Sequence, residues 1–133
     1  MPNSLSQETL SGIQEFFTTR DKVLAVYLLG SAARGELRTD SDVDLAILPF
    51  GGEKISSVEL FHLTGEISYD LRYDFDLGIM GSENLVYSKE AIFHGILVYC
   101  QNEIETKKRV NTLLSMYFHF IEERRVVVDA YRL

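Results

Sequence analysis

Apolar residues in the first half of the chain recur first at helical spacing and then in runs of strand length. The helical spacing involves four residues near the N-terminus: Leu10, Ile13, Phe16 and Phe17. Ser4 or Ser6 can cap this first helix. The continuous apolar run 23–29 predicts a strand that is covered on both faces. After a polar turn, residues 41–48 read as a second strand, and the short connection predicts that the two strands are neighbours.

The middle of the chain contains a second helical pattern and then an alternating one. Residues 56–71 have apolar positions at helical spacing, although Gly65 inside this helix costs about 1 kcal/mol relative to alanine. Residues 73–80 alternate between apolar and polar side chains. This alternation predicts a half-buried third strand with Asp74 and Asp76 on its polar face.

The last third of the chain is mostly helical by the same criterion. Residues 88–93 read as a short helix, which is capped by Ser88, closed by Gly95 and followed by the apolar run 96–99. Residues from about 103 to 131 read as one long helix. Its apolar positions line one side: Val110, Leu113, Leu114, Tyr117, Phe120 and Ile121. This helix either covers the sheet or lies partly in an interface with another molecule.

The order helix, strand, strand, helix, strand and then helices predicts an α/β (α+β) fold. We expect a small mixed β-sheet that is flanked by helices and ends in a long C-terminal helix. No repeat, low-complexity segment or linker divides the sequence, so we interpret residues 1–133 as a single domain.

The composition is that of a folded protein, with 46% hydrophobic and 25% charged residues. A net charge of −7 argues against direct binding to DNA or RNA, which requires a basic surface. It is compatible with a basic protein partner and with a nucleotide that arrives with a divalent cation, because the cation changes the local charge. The single cysteine, the absence of a secretory signal and the absence of a membrane-length apolar run predict a cytoplasmic protein.

Two aspartates at the start of the second strand are the first candidates for chemistry. Asp42 and Asp44 are two residues apart in a strand, so both side chains leave the same face about 6–7 Å apart. Two carboxylates with no Lys or Arg between them repel each other, and such a pair suits a hard cation such as Mg²⁺. Asp76 can supply a third carboxylate if its strand lies beside the second, although Asp74 could take its place. The third carboxylate could complete a two-metal site or deprotonate a nucleophile.

A phosphate-binding turn is predicted at Gly30 and Ser31, between the first strand and a short helix over residues 31–36. Glycine lets the backbone approach a phosphate closely, and backbone N–H groups and the Ser31 hydroxyl can bind its oxygens. Arg34 and Arg38 could meet the remaining charge of a triphosphate. Taken singly, a Gly-Ser pair is often only a turn, an aspartate at a strand start is often a solvated strand end, and an arginine in a helix is often a surface residue. Together they suit transfer of a nucleotidyl group from a nucleoside triphosphate.

The segments 28–36 and 41–46, which contain the glycine–serine turn and the aspartate pair, resemble the signature of the DNA polymerase β-type nucleotidyltransferase superfamily. More narrowly, the chain resembles the minimal nucleotidyltransferases, the MNT antitoxins of bacteria and archaea. Asp76-Leu77 matches the third acidic strand of that family, and the resemblance covers nearly the whole chain. It implies a fold like the palm of polymerase β.

The resemblance also implies an activity and a partner. Family members transfer AMP from ATP to a tyrosine of a HEPN-class toxin, an all-helical ribonuclease, and thereby neutralise it. By this resemblance Gly30 and Ser31 would hold the triphosphate, while Asp42, Asp44 and Asp76 would hold Mg²⁺. Asp76 would also be the candidate base for the tyrosine hydroxyl. The chain lacks the second domain of drug-modifying or tRNA-modifying members, so a partner must complete the site.

Two alternatives belong to different functional classes. A small-molecule nucleotidyltransferase of the aminoglycoside-modifying type would work with a separate helical subunit. A non-catalytic binding antitoxin would block its partner sterically, although the presence of all three carboxylates argues against it. The sequence leaves open the base of the nucleotide, the acceptor residue, the number of AMP groups, and the choice between a homodimer and a hetero-oligomer. The seven tyrosines are interpreted mostly as core or interface residues.

Overall fold

The computed structural model describes residues 5–36 and 41–132, and this part of the chain forms four strands and five helices. The strands are β1 (Val23–Leu29), β2 (Val43–Pro49), β3 (Phe75–Ile79) and β4 (Ile96–Cys100). The helices are α1 (Gln7–Thr18), α2 (Gly30–Ala33), α3 (Ser57–Leu71), α4 (Leu85–His94) and α5 (Glu103–Ala130). The predicted order of elements is confirmed as far as β3 and for the two helices α4 and α5, but the apolar run 96–99, which was not predicted as a strand, forms β4 between them.

Side-chain caps fix the start of three of the helices. The Ser6 hydroxyl accepts a hydrogen bond from the Thr9 N–H at 3.1 Å and caps α1, whereas Ser4 lies outside the described residues. Ser56 and Glu59 form a reciprocal capping box at the start of α3, which satisfies two N–H groups that the helix leaves unpaired. The Asn102 side chain accepts from the Glu105 N–H at 2.9 Å and caps α5.

The strands form one mixed sheet in the order β3-β2-β1-β4. The β1 strand pairs antiparallel with both β2 and β4, while β2 and β3 pair parallel. This arrangement confirms the predicted neighbours β1 and β2 and the predicted mixed sheet. It also places β3 beside β2, so that Asp76 can supply the third carboxylate.

The sheet has two differently covered faces. The first face packs against α1 and α3 and is lined by strand residues that are fully buried or nearly so: Val26, Leu28, Val43, Leu45, Ile47, Phe75 and Leu77. The second face packs against α4 and α5. Its buried residues are Leu24, Ala25, Tyr27, Ala46 and Leu48 from the strands, together with Met80, which directly follows β3. Because strand side chains alternate, β1 and β2 contribute to both faces and are covered on both sides. This coverage was predicted for β1.

The predicted start of α4 at Ser88 is wrong. The helix begins at Leu85, and Ser88 is a buried residue within it. Its hydroxyl donates to the carbonyl of Asn84 at 2.8 Å and accepts from the N–H of Gly81 at 2.9 Å. A serine that satisfies its hydroxyl in this way can lie inside a helix, which is why its polar character gave a false cap signal. The predicted end of the helix at Gly95 is confirmed.

The predicted helix over residues 31–36 is also too long. The α2 helix is a single turn that ends at Ala33, because Gly35 has a left-handed backbone with φ of +71° and stops it. The third strand begins at Phe75 rather than at residue 73, since Arg72 adopts a left-handed conformation that closes α3.

The α5 helix is continuous, as predicted, but only its N-terminal half is covered. Leu113 is buried between α5 and the second face, whereas Phe118, Val126 and Val127 are each more than half exposed. Within the described residues, no helix combines the length and the apolar character that a membrane crossing requires. The far half of α5 therefore projects a partly apolar surface away from the sheet.

Candidate active site

The three candidate carboxylates lie at one end of the second face. Leu29 at the end of β1 pairs with Asp44, and Asp44 pairs in parallel register with Asp76 of β3. Asp42 directly precedes β2, two residues before Asp44 and therefore on the same side of the extended chain. The register of three strands thus brings together residues that are far apart in the sequence.

The neighbourhood of these carboxylates raises the pKa of Asp44. Partial burial is the largest cause, followed by the charges of Asp76 and Asp42. Within residues 5–36 and 41–132, no Lys, Arg or His forms an ion pair with any of the three. An uncompensated cluster of negative charge lowers the stability of the folded chain and is typical of a functional site rather than a structural one.

Gly30 is held tightly against Asp44. Its φ is +64°, a left-handed conformation that glycine adopts without strain. A Cβ atom at this position would lie only 2.8 Å from the Asp44 Oδ2 atom. The carboxylate therefore rests on the backbone of the predicted phosphate-binding turn, and any side chain at residue 30 would displace it. Ser31 is the next residue of the turn and is half-buried.

The remaining candidates differ in how close they come to this cluster. Asp74 is exposed and precedes β3, and its backbone carbonyl accepts a hydrogen bond from the Val43 N–H at 2.9 Å. Asp76, rather than Asp74, is the residue in register with Asp44. The exposed side chain of Arg34 pairs with Glu36 at 2.8 Å and contacts none of the carboxylates. Arg38 lies outside the described residues.

A pocket of about 310 Å³ opens beside the carboxylates, between the second face and α4. It is lined by Leu29, Asp44, Asp76, Leu77, Gly78 and Tyr87. Tyr87 reaches from α4 onto the backbone of Gly78, where an added Cβ would clash with the tyrosine Oη. Burial, followed by the charges of Asp44 and Asp76, raises the pKa of Tyr87 to about 12.

Tyr87 is a site residue that sequence reasoning missed. With the helix placed at Ser88, this tyrosine fell in a loop with no defined direction. A signal was present in Gly78, which stands where the alternation of β3 calls for a side chain on the second face. A glycine in a strand interior often marks a close approach by another group.

The donor set fits a magnesium ion that is completed by substrate. Among the described residues, no three acidic, histidine or cysteine side chains converge into a preformed metal cluster. Carboxylates that repel each other in the absence of a cation need not converge. Mg²⁺ commonly takes one or two protein carboxylates and fills its other positions with phosphate oxygens and water. All the donors here are hard oxygens, as such a site requires.

Comparison with known families gives a match over most of the chain. Residues 11–104 match the family described as polymerase beta, nucleotidyltransferase. Among characterised proteins, the chain is 26% identical over 108 residues to the protein adenylyltransferase MntA of Shewanella oneidensis, covering 81% of this chain and 76% of that protein.

Solved structures share the fold at lower sequence identity. A toxin–antitoxin crystal structure with AMP-PNP has a chain that matches with a TM-score of 0.75 and 21% identity, covering 93% of this chain and 98% of that one. A tri-AMPylated Shewanella oneidensis HEPN toxin in complex with its MNT antitoxin matches with a TM-score of 0.72 and 20% identity, covering 97% and 100%. The expected palm-like fold is thereby confirmed.

Proposed function

The chain belongs to the polymerase β nucleotidyltransferase family, and from this premise we propose that it is a magnesium-dependent protein adenylyltransferase. Its substrate would be ATP and its acceptor a tyrosine of a HEPN-class toxin, which the modification neutralises. The similar MntA protein is a protein adenylyltransferase, and similar chains come from structures with AMP-PNP and with an AMPylated HEPN toxin. The reaction would take place in the cytoplasm, where the single cysteine stays reduced.

The observation that carries this proposal is the contact between the turn and the carboxylates. The Gly30 backbone lies against Asp44, and Asp44 is in register with Asp76. A phosphate that binds at the turn is thus adjacent to the residues that can hold a cation. Carboxylates without a basic partner would repel a triphosphate, and a divalent cation removes that repulsion.

In the proposed mechanism the turn binds the nucleotide, the carboxylates hold the cation, and Asp76 has a second role as the base. Gly30 and Ser31 would bind the triphosphate, and Asp42, Asp44 and Asp76 would hold magnesium. Bound magnesium would neutralise the charge that develops on the phosphate oxygens. Asp76 accepts the proton of the tyrosine hydroxyl, and the hydroxyl oxygen forms a bond to the α-phosphorus. The bond from the α-phosphorus to the oxygen that bridges it to the β-phosphorus breaks, and pyrophosphate leaves.

A separate protein would supply both the acceptor tyrosine and part of the site. At the carboxylate end of the second face, Asp42 and Asp76 are exposed. The far half of α5 exposes Phe118, Val126 and Val127, which suits a helical partner. We therefore expect a hetero-oligomer with the toxin.

Transfer of label from α-³²P-ATP tests the proposal. The purified chain is mixed with magnesium and with the helical protein encoded beside it. We expect label on that protein only with the wild-type chain, not with the Asp42→Asn/Asp44→Asn variant. A matched control, Asp21→Asn/Asp70→Asn, removes two exposed carboxylates elsewhere and should transfer normally.

The other outcomes identify the alternatives. A tight complex without any labelled protein, and with neutralisation intact in the Asp42→Asn/Asp44→Asn variant, would make the chain a steric antitoxin. Release of pyrophosphate that depends on an aminoglycoside rather than on the helical protein would make it a small-molecule nucleotidyltransferase.

A further inference from the structure

The wall of the pocket opposite the carboxylates is a single tyrosine. Tyr87 projects from α4, and its phenol ring lies on the backbone of Gly78. The side chain is half-buried. Any side chain at position 78 would displace the ring. The position of the hydroxyl is therefore fixed by the packing of α4 against β3.

The Tyr87 hydroxyl has no partner of its own in the described part of the chain. No side-chain hydrogen bond between described residues involves Tyr87 Oη. This atom is also not among the buried polar atoms that lack a partner. The side chain lines the pocket. A tyrosine hydroxyl keeps its proton at neutral pH and can donate it in a hydrogen bond. It is available to a ligand.

The pocket contains two kinds of surface. Asp44 and Asp76 are at its charged side, and Leu29, Leu77, Gly78 and the Tyr87 ring form the rest. A phosphate fits only where a cation offsets the carboxylates, so the apolar part suits a neutral portion of the nucleotide. The neutral polar group next to the α-phosphate of a nucleoside triphosphate is the sugar.

We propose that Tyr87 binds the sugar of the nucleoside triphosphate and donates a hydrogen bond from its hydroxyl to a sugar hydroxyl. This inference rests on the proposed function, because it takes a nucleoside triphosphate as the ligand of the site. Tyr87 would then favour ATP over the analogue that lacks the contacted hydroxyl, the 2′-deoxy or the 3′-deoxy form, since that analogue lacks the acceptor. The residue contacts the substrate without taking part in the transfer of the phosphoryl group.

The test measures binding rather than turnover. Calorimetry gives the affinities of ATP, 2′-deoxyATP and 3′-deoxyATP in the presence of magnesium, with no acceptor protein. The wild-type chain should bind ATP about two- to tenfold more tightly than one of the deoxy forms, as expected for one neutral hydrogen bond. In Tyr87→Phe, which removes only the hydroxyl, that difference should disappear.

Two further variants separate the hydroxyl from general effects. Tyr69→Phe makes the same change on an exposed residue of α3 that is 76% accessible, and it should preserve the preference. Gly78→Ala retains the tyrosine hydroxyl but displaces it, together with the ring, from the strand, and it should lose the preference as Tyr87→Phe does. Melting temperatures establish that each variant is folded.

The outcomes distinguish the inference from its premise. If the wild-type chain binds ATP and neither deoxy form binds more weakly, or if Tyr87→Phe keeps the preference, the sugar contact is wrong and the proposed function stands. If the wild-type chain binds no ATP at all, the proposed function itself is contradicted. Unchanged nucleotide affinities with impaired transfer to the toxin would overturn the sugar contact and assign Tyr87 to the acceptor.

Discussion

The two faces of the sheet are formed by the same strands but serve different purposes. On the first face, β1, β2 and β3 place only apolar side chains against α1 and α3, and Ile13 and Phe17 are completely buried there. On the second face the apolar layer stops short of one end, where Asp42, Asp44 and Asp76 replace it. One face carries the stability of the fold, and the other exposes a cluster of like charges beside an open pocket.

This difference shows how a chain of 133 residues remains folded although its site lowers the free energy of unfolding. The repulsion among the carboxylates is confined to the end of one face, where solvent and a cation can reach it. Its cost is offset by the apolar packing on the opposite side of the same strands. Substitutions on the two faces should therefore separate stability from nucleotide binding.

The largest effect on stability is expected on the first face. Phe17→Ala leaves a cavity in the layer that joins α1 to the sheet, and it should lower the free energy of unfolding by about 3–5 kcal/mol. Urea denaturation measures this change. The control is Phe118→Ala on α5, where the side chain is 54% exposed and should contribute far less. Similar losses for both variants would contradict the division between a packed face and an open one.

Gly30→Ala should impair both stability and binding. The left-handed backbone at residue 30 costs a non-glycine residue about 1–2 kcal/mol, and the new methyl group would also push the Asp44 carboxylate away. We expect the affinity for ATP with magnesium to fall at least about tenfold, measured by calorimetry.

Gly52→Ala is the matched control for that substitution. Gly52 has φ of +88°, but a Cβ atom there would meet nothing within 4 Å. Its substitution should lower the stability by a similar amount and leave the ATP affinity unchanged. If both variants bind ATP like the wild-type chain, the turn at Gly30 is not part of the site.

Asp44→Asn should stabilise the protein at neutral pH in the absence of divalent cations. Burial and the charges of Asp76 and Asp42 raise the folded-state pKa of Asp44 above its ordinary value of 3.8. The folded state therefore binds more protons than the unfolded state between these two pKa values, and the free energy of unfolding falls as the pH rises through that interval. At neutral pH the whole penalty is present, and the variant lacks it.

Thermal melts from pH 3 to 8 measure this difference. The melting temperature of Asp44→Asn should exceed that of the wild-type chain at pH 7 by on the order of 1–2 °C, because a partly solvated carboxylate is well screened. The advantage should shrink as the pH falls through the raised pKa of Asp44 toward 3.8, and it should be largely lost below that value. A variant that is less stable than the wild-type chain at pH 7 would mean that Asp44 has a structural role.

The smallest effect is expected for Arg34→Ala. The arginine is exposed, and its pair with Glu36 at 2.8 Å is a surface ion pair worth little stability. If the arginine binds a triphosphate oxygen, as the sequence predicts, the KM for ATP should rise about two- to fivefold without a change in the melting temperature. An unchanged KM would mean that Arg34 is a surface residue that does not bind the triphosphate.

Local sequence patterns predicted the parts of the site that depend on short stretches of chain. The apolar run of β1 predicted a strand covered on both faces, and the spacing of Asp42 and Asp44 placed both on one side of the chain. The signature residues around Gly30 gave the family, which the match over residues 11–104 confirms.

The remaining features depend on contacts between distant parts of the chain. The pairing of Asp44 with Asp76 follows from the register of β2 and β3, which no local pattern encodes. Tyr87 was missed because the hydroxyl of Ser88 is satisfied inside α4, so the polar residue looked like a helix start. Because α4 in fact begins at Leu85, Tyr87 lies within the helix and faces the sheet, where it lines the pocket beside the carboxylates.

The most direct test of this account is a titration of ¹⁵N-labelled protein with magnesium and a non-hydrolysable ATP analogue, followed by NMR. The largest shift changes should fall at one end of the second face, in residues 29–31, 42–44 and 76–78 and at Tyr87. Another groove, of about 720 Å³, lies between α1 and the end of α3 and includes Gly12, Arg20 and Asp70. Changes concentrated in that groove, or no changes at all, would contradict the assignment of the nucleotide site to the carboxylates.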